Sequence, residues 1–152
     1  MRARILAIAK TPPPWLRTQC AKYTKRVLPP WNIASEYLPQ SRFHGKNDTK
    51  AAQEDNTRLL AASKGKIRIA MDKSGTSLSS EQLARWLDSF TAQGEVCFLL
   101  GGPLGMDQAT RAQCEHVLSL SSLTLPHALA HLLLLEQLYR ANSIVRKSGY
   151  HK

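Results

Sequence analysis

The stretch EVCFLLGGPLGMD, residues 95–107, decides how this chain is read. Its first six residues form a short, nearly continuous apolar run. Such a run is typical of a strand covered on both faces, as in a parallel sheet with helices on either side. Glycines at 101, 102 and 105 follow at once. They let backbone approach a ligand closely and expose its N–H groups. Glycine after a strand also marks an ordinary turn, so the loop alone does not define a site. No Gly-Lys-Ser/Thr follows, which excludes a phosphate loop, and the glycine spacing is not that of a dinucleotide fingerprint.

Upstream of this run, IRIAMD at 67–72 reads as a strand ending in an acid, followed by a loop of Gly75 and serines. Ser79 with Gln82 forms a capping box. Leu83, Trp86, Leu87 and Phe90 then give the helix its buried stripe, and Gly94 ends it. Nearer the N-terminus, RARILAI at 2–8 reads as a strand. Thr11 and the prolines 12–14 stop it and begin a helix, since proline is tolerated in a first turn. Trp15, Leu16, Cys20, Tyr23 and Val27 recur there at helical spacing until Pro29 and Pro30. NIASEYL at 32–38 is a second strand, and PQSRFHGKN at 39–47 a polar, basic loop. Asp48 caps a helix to about Ser63, with Leu59 and Leu60 on its apolar side.

Downstream, a short helix is expected over about 107–115 and a last strand at 116–120, HVLSL. The final helix runs from about Pro126 to Val145, and a basic tail, RKSGYHK, closes the chain. Strand and helix alternate five times, which predicts an α/β fold with a mostly parallel sheet flanked by helices. No repeat, low-complexity segment or linker divides residues 1–152, so a single domain is expected.

Composition narrows the function. With 21 Lys and Arg against 11 Asp and Glu, the net charge is +10. A surplus of that size favours polyanions, RNA or DNA first. No run of eighteen apolar residues and no signal-peptide pattern occurs, so no membrane partner and a cytoplasmic location are expected. Cys20, Cys97 and Cys114 fit neither a disulfide framework nor a zinc site, and no metal is expected.

In open α/β sheets, ligands sit beyond the carboxyl ends of the strands. The Met71-to-Gly75 turn, the Gly101-to-Gly105 loop and residues 120–126, LSSLTLP, all fall there. The last alternates apolar and small polar groups, offering backbone donors and acceptors with a leucine wall that suits a flat base such as adenine. It also reads as a helix start, with Thr124 capping and Pro126 at the first position. Both readings hold together. Glu136 and Arg140 are spaced for an intrahelical ion pair. Tyr150 and His151 lie in a tail of the kind that is usually disordered, yet aromatic and cationic groups also suit stacking and phosphate contact.

LLGGPLG at 99–105, LSLSSLTLPHALAHLLLLEQLYRANSI at 118–144 and the terminal YHK at 150–152 resemble the RlmH (YbeA) family of small SPOUT-class methyltransferases. The RARILAIAK start and MDKSG at 71–75 extend the likeness over nearly the whole chain. The resemblance implies an α/β-knot fold with a deep C-terminal trefoil knot, which general topology rules disfavour. It implies an obligate homodimer, S-adenosylmethionine as cofactor, and methylation of N3 of a pseudouridine in 23S ribosomal RNA of the assembled ribosome. Carried over, the cofactor loops are Met71, Gly101 with Gly102, and Leu120, Ser121, Ser122, Leu123, Thr124 and Leu125. The catalytic, substrate-side residues are Arg140, Tyr150 and His151. Under this reading Arg17, Lys22, Lys25, Arg26, Arg42 and Lys46 become phosphate contacts.

Two positions depart from the family pattern. Leu104 stands where relatives carry a polar or acidic residue, and His131 where they carry arginine. These departures leave room for a non-catalytic, ribosome-associated RNA-binding factor on the same fold.

Overall fold

A computed structural model describes residues 1–152. Strands β1 (Arg2–Ala9), β2 (Asn32–Pro39), β3 (Ile67–Ser77), β4 (Glu95–Leu100) and β5 (His116–Ser119) alternate with helices α1 (Pro14–Arg26), α2 (Asp48–Ala62), α3 (Ser80–Asp88), α4 (Gln108–Arg111) and α5 (His127–Val145). The strands form one sheet in the order β2-β1-β4-β3-β5, and every neighbouring pair is parallel. β4, the run that decided the sequence reading, is the central strand, with Val96 through Leu100 all buried.

Alternation along the strands builds two apolar layers. Ile5, Ala7, Phe98 and Leu100 face the larger layer, which α1, α3 and α5 close. Leu6, Ile8, Cys97 and Leu99 face the smaller one, closed by Leu59 of α2 and by Met106. Leu134, Leu135, Leu138 and Ala141 of α5 are fully buried. Each such leucine contributes roughly 1.5–3 kcal/mol by leaving water.

Several boundaries differ from the sequence expectation. Asn47, not Asp48, caps α2, accepting from Lys50 N at 3.0 Å. Asp48 opens the helix and accepts from Gly45 N instead, at 3.0 Å. α3 stops at Asp88, because the chain tightens into successive turns and the Ser89 hydroxyl donates to the Trp86 carbonyl at 2.6 Å. α4 is a single turn rather than a helix over 107–115, with Asp107 capping Thr110 N at 2.7 Å. β5 ends at Ser119. Pro126 sits at the N-cap of α5, and no side chain, Thr124 included, caps that helix.

The largest difference is β3, which runs to Ser77 where a loop was expected after Asp72. Met71 pairs with Leu118, the chain bulges out over residues 72–75, and pairing resumes as Thr76 meets Leu118 and Ser77 meets Ser119. Gly75 permits the return. A Cβ there would stand 2.7 Å from the Val117 carbonyl carbon and oxygen, so no side chain fits between the strands. The bulge carries Asp72 and Lys73 toward the glycine loop.

Candidate cofactor cavity and substrate-side cluster

The ends of β3, β4 and β5 meet the start of α5 around a cavity of about 680 Å³. Met71, Gly101, Gly102, Leu120, Ser121, Leu123, Thr124 and Leu125 line it; Ser122 is exposed and does not. Asp72, Lys73 and Leu104, which fall within the turn and loop expected at the ligand site but were given no individual role, also line the cavity, as do Met106 and His127 beyond those segments. Leu104 lies at the lip, 44 % exposed, so its substitution for a polar residue changes the rim and not the core.

Buried chemistry fixes the glycine loop. Gly105 N donates to Gly102 O at 2.9 Å, closing a turn. A Cβ on Gly102 would lie 2.9 Å from Asp55 Oδ2 and 3.1 Å from Ile8 Cγ2. Asp55 is itself buried, accepting from Ser41 N at 2.7 Å and lying 2.6 Å from His44 Nε2. The polar 39–47 loop therefore anchors the floor beneath the glycines. At the rim, Arg111 Nη1 donates to Asp72 Oδ2 at 3.1 Å and to the Met106 carbonyl, tying the β3 bulge to the exit of the glycine loop. Burial opposes ionisation of Asp72, but bonds from the Ser74 hydroxyl and N–H and from Arg111 outweigh it and hold the carboxyl below its ordinary value. Asp72 thus brings an ionised carboxylate, paired with Arg111, to a lining of mixed polarity that also holds Lys73, Ser121 and Thr124.

The two histidines of α5 are both disfavoured as cations by burial. Burial pushes the His127 pKa down, an effect the bond to the Gly101 backbone partly offsets, and its Nε2 is buried without a partner. His131 is fully buried, with Nε2 3.1 Å from Ser35 Oγ and its ring 5.0 Å from that of Tyr37. Burial, with a smaller effect of His127, lowers the His131 pKa to about 4. A neutral ring inside the core offers no cation to RNA, so a phosphate contact at this position is excluded.

Arg140, Tyr150 and His151 are brought together, and Glu136 holds the first two. Its Oε1 accepts from Arg140 Nε at 3.0 Å, Arg140 Nη2 at 2.6 Å and Tyr150 OH at 3.1 Å. The Arg140 guanidinium carbon lies 4.7 Å from the Tyr150 ring centroid. His151 Nε2 is 2.8 Å from Glu81 Oε1 on α3, and its Nδ1 is 3.4 Å from Arg140 Nη1. The tail is therefore packed rather than loose. Burial and the bond to the Glu136 carboxylate raise the Tyr150 pKa, so its hydroxyl stays protonated near neutral pH and donates. The expected Glu136–Arg140 pair is present, but its wider role was missed. Tyr150 lies 14 residues beyond Glu136 in sequence, out of reach of any helical spacing rule.

None of these three residues lines the cavity. At about 1.5 Å per residue, Arg140 lies roughly 20 Å along α5 from His127. The two halves of the expected site stand apart in one chain.

Fold and cavity together define an α/β protein with a cavity formed by loops at the carboxyl ends of parallel strands. The chain matches the family model described as Predicted SPOUT methyltransferase over residues 1–151 and belongs to that family. It is 35 % identical over 155 residues to Ribosomal RNA large subunit methyltransferase H of Thiobacillus denitrificans, spanning 100 % of this chain and 99 % of that one. It is 38 % identical over 157 residues to the Bordetella pertussis protein of the same name, with the same coverage. Among solved structures, a probable methylase family protein from Haemophilus influenzae superposes with a TM-score of 0.59 at 14 % identity, covering 99 % of this chain and 70 % of that one, a likeness of fold alone. No helix is long and apolar enough to cross a membrane.

Proposed function

We propose that this protein is a cytoplasmic homodimer that transfers the methyl group of S-adenosylmethionine to N3 of a pseudouridine in 23S ribosomal RNA of the assembled ribosome. The full-length similarity to ribosomal RNA large subunit methyltransferases supports the reaction class. The observation that carries the cofactor assignment is the character of the cavity. Its leucine walls suit a flat base, Gly102 lets the loop lie close on Asp55 and Ile8 beneath it, and ionised Asp72 complements a cationic group at the rim. The trefoil knot belongs to the same proposal.

The cofactor supplies an electrophilic methyl on a sulfonium. The chain's own residues hold the two reactants in line, which is worth roughly 7–11 kcal/mol of barrier. The leucines of 120–125 and the glycine loop exclude water from one side of the reacting pair. The N3 proton must also leave. Tyr150, kept protonated, donates a hydrogen bond; His151 Nδ1, which faces Arg140 Nη1 at 3.4 Å in the free chain, takes the N3 proton when the substrate displaces that contact; Arg140 then stabilises the anionic base. Because Arg140, Tyr150 and His151 stand off their own chain's cavity, the homodimer gives the tail of one subunit access to the cavity of its partner.

Two measurements test the reading. Calorimetric titration with S-adenosylmethionine is expected to show saturable heat; no heat and no thermal shift would leave the non-catalytic RNA-binding factor. Mass spectrometry of rRNA hairpins from cells lacking the protein is expected to show one missing methyl, restored on complementation.

A further inference from the structure

All 11 acids of this chain lie between Glu36 and Glu136, so the segments 1–35 and 137–152 hold none. The two meet where α1 packs on α5. That face is left to the proposed homodimer, in which the tail of one subunit reaches the cavity of its partner. A different concentration of cations stands at the carboxyl end of β2, in the loop that leads into α2. Arg42, Lys46 and Lys50 fall there within nine residues, and all three are exposed.

The acids around this loop are engaged in holding it. Asp55 accepts from Ser41 N at 2.7 Å and lies 2.6 Å from His44 Nε2. Glu54 accepts from the Ser41 hydroxyl at 2.7 Å, and Arg58 pairs with both carboxylates. Asp48 accepts from Gly45 N. The chain then closes a turn, with Lys46 N and Asn47 N both donating to the Phe43 carbonyl, at 2.9 and 2.8 Å. The cations take no part in this network. No carboxylate lies within ion-pair distance of Arg42, Lys46 or Lys50. Phe43 is what restrains two of them. Lys50 Nζ lies 4.0 Å from its ring centroid and the Arg42 guanidinium carbon 5.5 Å. Stability gives no reason for the placement, because Lys46 and Lys50 flank the start of α2, where the helix macrodipole disfavours cations.

The loop stands beside the cofactor cavity. Asp55, which fixes it from below, is the carboxylate whose Oδ2 would lie 2.9 Å from a Cβ on Gly102. β2 is two strands from β4 in the sheet, roughly 10 Å at about 4.8 Å per strand. We propose that Arg42, Lys46 and Lys50 form a phosphate clamp for the RNA backbone flanking the modified nucleotide, with Phe43 as the post that holds Arg42 and Lys50 in position. The inference deepens the proposed function and rests on its reading of the substrate as RNA. Clustered cations without acid partners bind a phosphate backbone whatever its sequence, and such contacts fix the register of the nucleic acid on the protein. The clamp aligns the target base with the cavity; it does not read that base.

The test uses the full-length protein and large ribosomal subunits from cells that lack it. Variants R42M, K46M, K50M, the triple variant, F43L and F43Y are compared for subunit affinity across a salt series, for S-adenosylmethionine affinity and for oligomeric state by sedimentation. Each cation variant is expected to flatten the log–log salt dependence by about 0.7–0.9, the effect of one phosphate contact. F43L keeps every charge, so its slope is expected to stay while affinity falls about 2- to 5-fold, the worth of an exposed cation–π contact. F43Y retains the aromatic face and is expected to bind as wild type. Cofactor affinity and oligomeric state are expected to stay at wild-type values throughout. Protein with photoreactive benzoylphenylalanine in place of the exposed Thr49 is expected to crosslink to ribosomal RNA. A crosslink to a ribosomal protein instead would overturn the clamp in favour of an acidic protein partner, and an unchanged salt slope in the triple variant would overturn it outright. Wild-type protein that binds no large subunits would overturn the RNA reading and the clamp with it. Wild-type protein that binds them with a steep slope lost in the triple variant, yet transfers no methyl, would overturn the proposed reaction alone.

Discussion

The two ends of α5 make opposite kinds of surface. At its N-terminal end the chain offers backbone, glycine and leucine around a cavity, with histidines kept neutral by burial. At its C-terminal end it offers arginines, tyrosines and a histidine held in place by two carboxylates. Shape is set by packing at the first end and by charge at the second. A small cofactor needs a rigid mould. A long polyanion needs cations that are exposed yet prevented from wandering, and Glu136 supplies that restraint.

The difference can be broken most severely at the rigid end. G102V places methyl groups where 2.9 Å already separates the Cβ position from Asp55 Oδ2. Overpacking of this kind costs about 1–3 kcal/mol. Loss of cofactor affinity of about 100-fold is expected in calorimetry, with the sheet intact by circular dichroism. The buried histidine between the two ends gives the next effect. His131 has a folded pKa of about 4, whereas an unfolded chain holds that proton to about 6.5. Between those values the unfolded state binds more protons, so stability is whole above about pH 6.5 and is lost as pH falls toward 4. The gap corresponds to at most about 3 kcal/mol. Urea midpoints of wild type are expected to fall over that window, and H131L is expected to flatten the curve.

At the ionic end, E136Q keeps the shape but removes the charge that orders Arg140 and Tyr150. Hydrogen bonds to charged groups are worth about 1.5–3 kcal/mol, so single-turnover methylation is expected to drop roughly 10-fold or more while cofactor affinity stays unchanged. A loss of cofactor binding instead would erase the distinction between the ends. The smallest effect sharpens the boundary of the mould. Ser122 is exposed outside the cavity, and Ser121 lines it. S122A is expected to leave cofactor affinity within about 2-fold, in keeping with neutral surface substitutions, with S121A the more sensitive of the pair.

The same contrast explains what was legible in the sequence. The buried β4 run, the capping box of α3 and the glycine loop are local patterns, and each predicts its own structure. The layering of Ile5 and Ala7 against Leu6 and Ile8 follows from strand alternation alone. The tail follows from no local pattern, because Tyr150 is ordered by Glu136 and His151 by Glu81, 70 residues away. β3 was read short for a similar reason. Asp-Lys-Ser-Gly is turn chemistry by composition, and only the renewed pairing of Thr76 with β5 makes it part of a strand. His131 shows the limit of residue identity: a titratable ring in sequence, it is a core residue in the fold.

The acid-free segments have a consequence for the timing of synthesis. One lies in the first 35 residues and the other in the last 16. A chain still being translated has exposed only the first, while its final cations remain inside the ribosomal exit tunnel. The face that the two segments build together comes into being only at release, when α5 docks on α1.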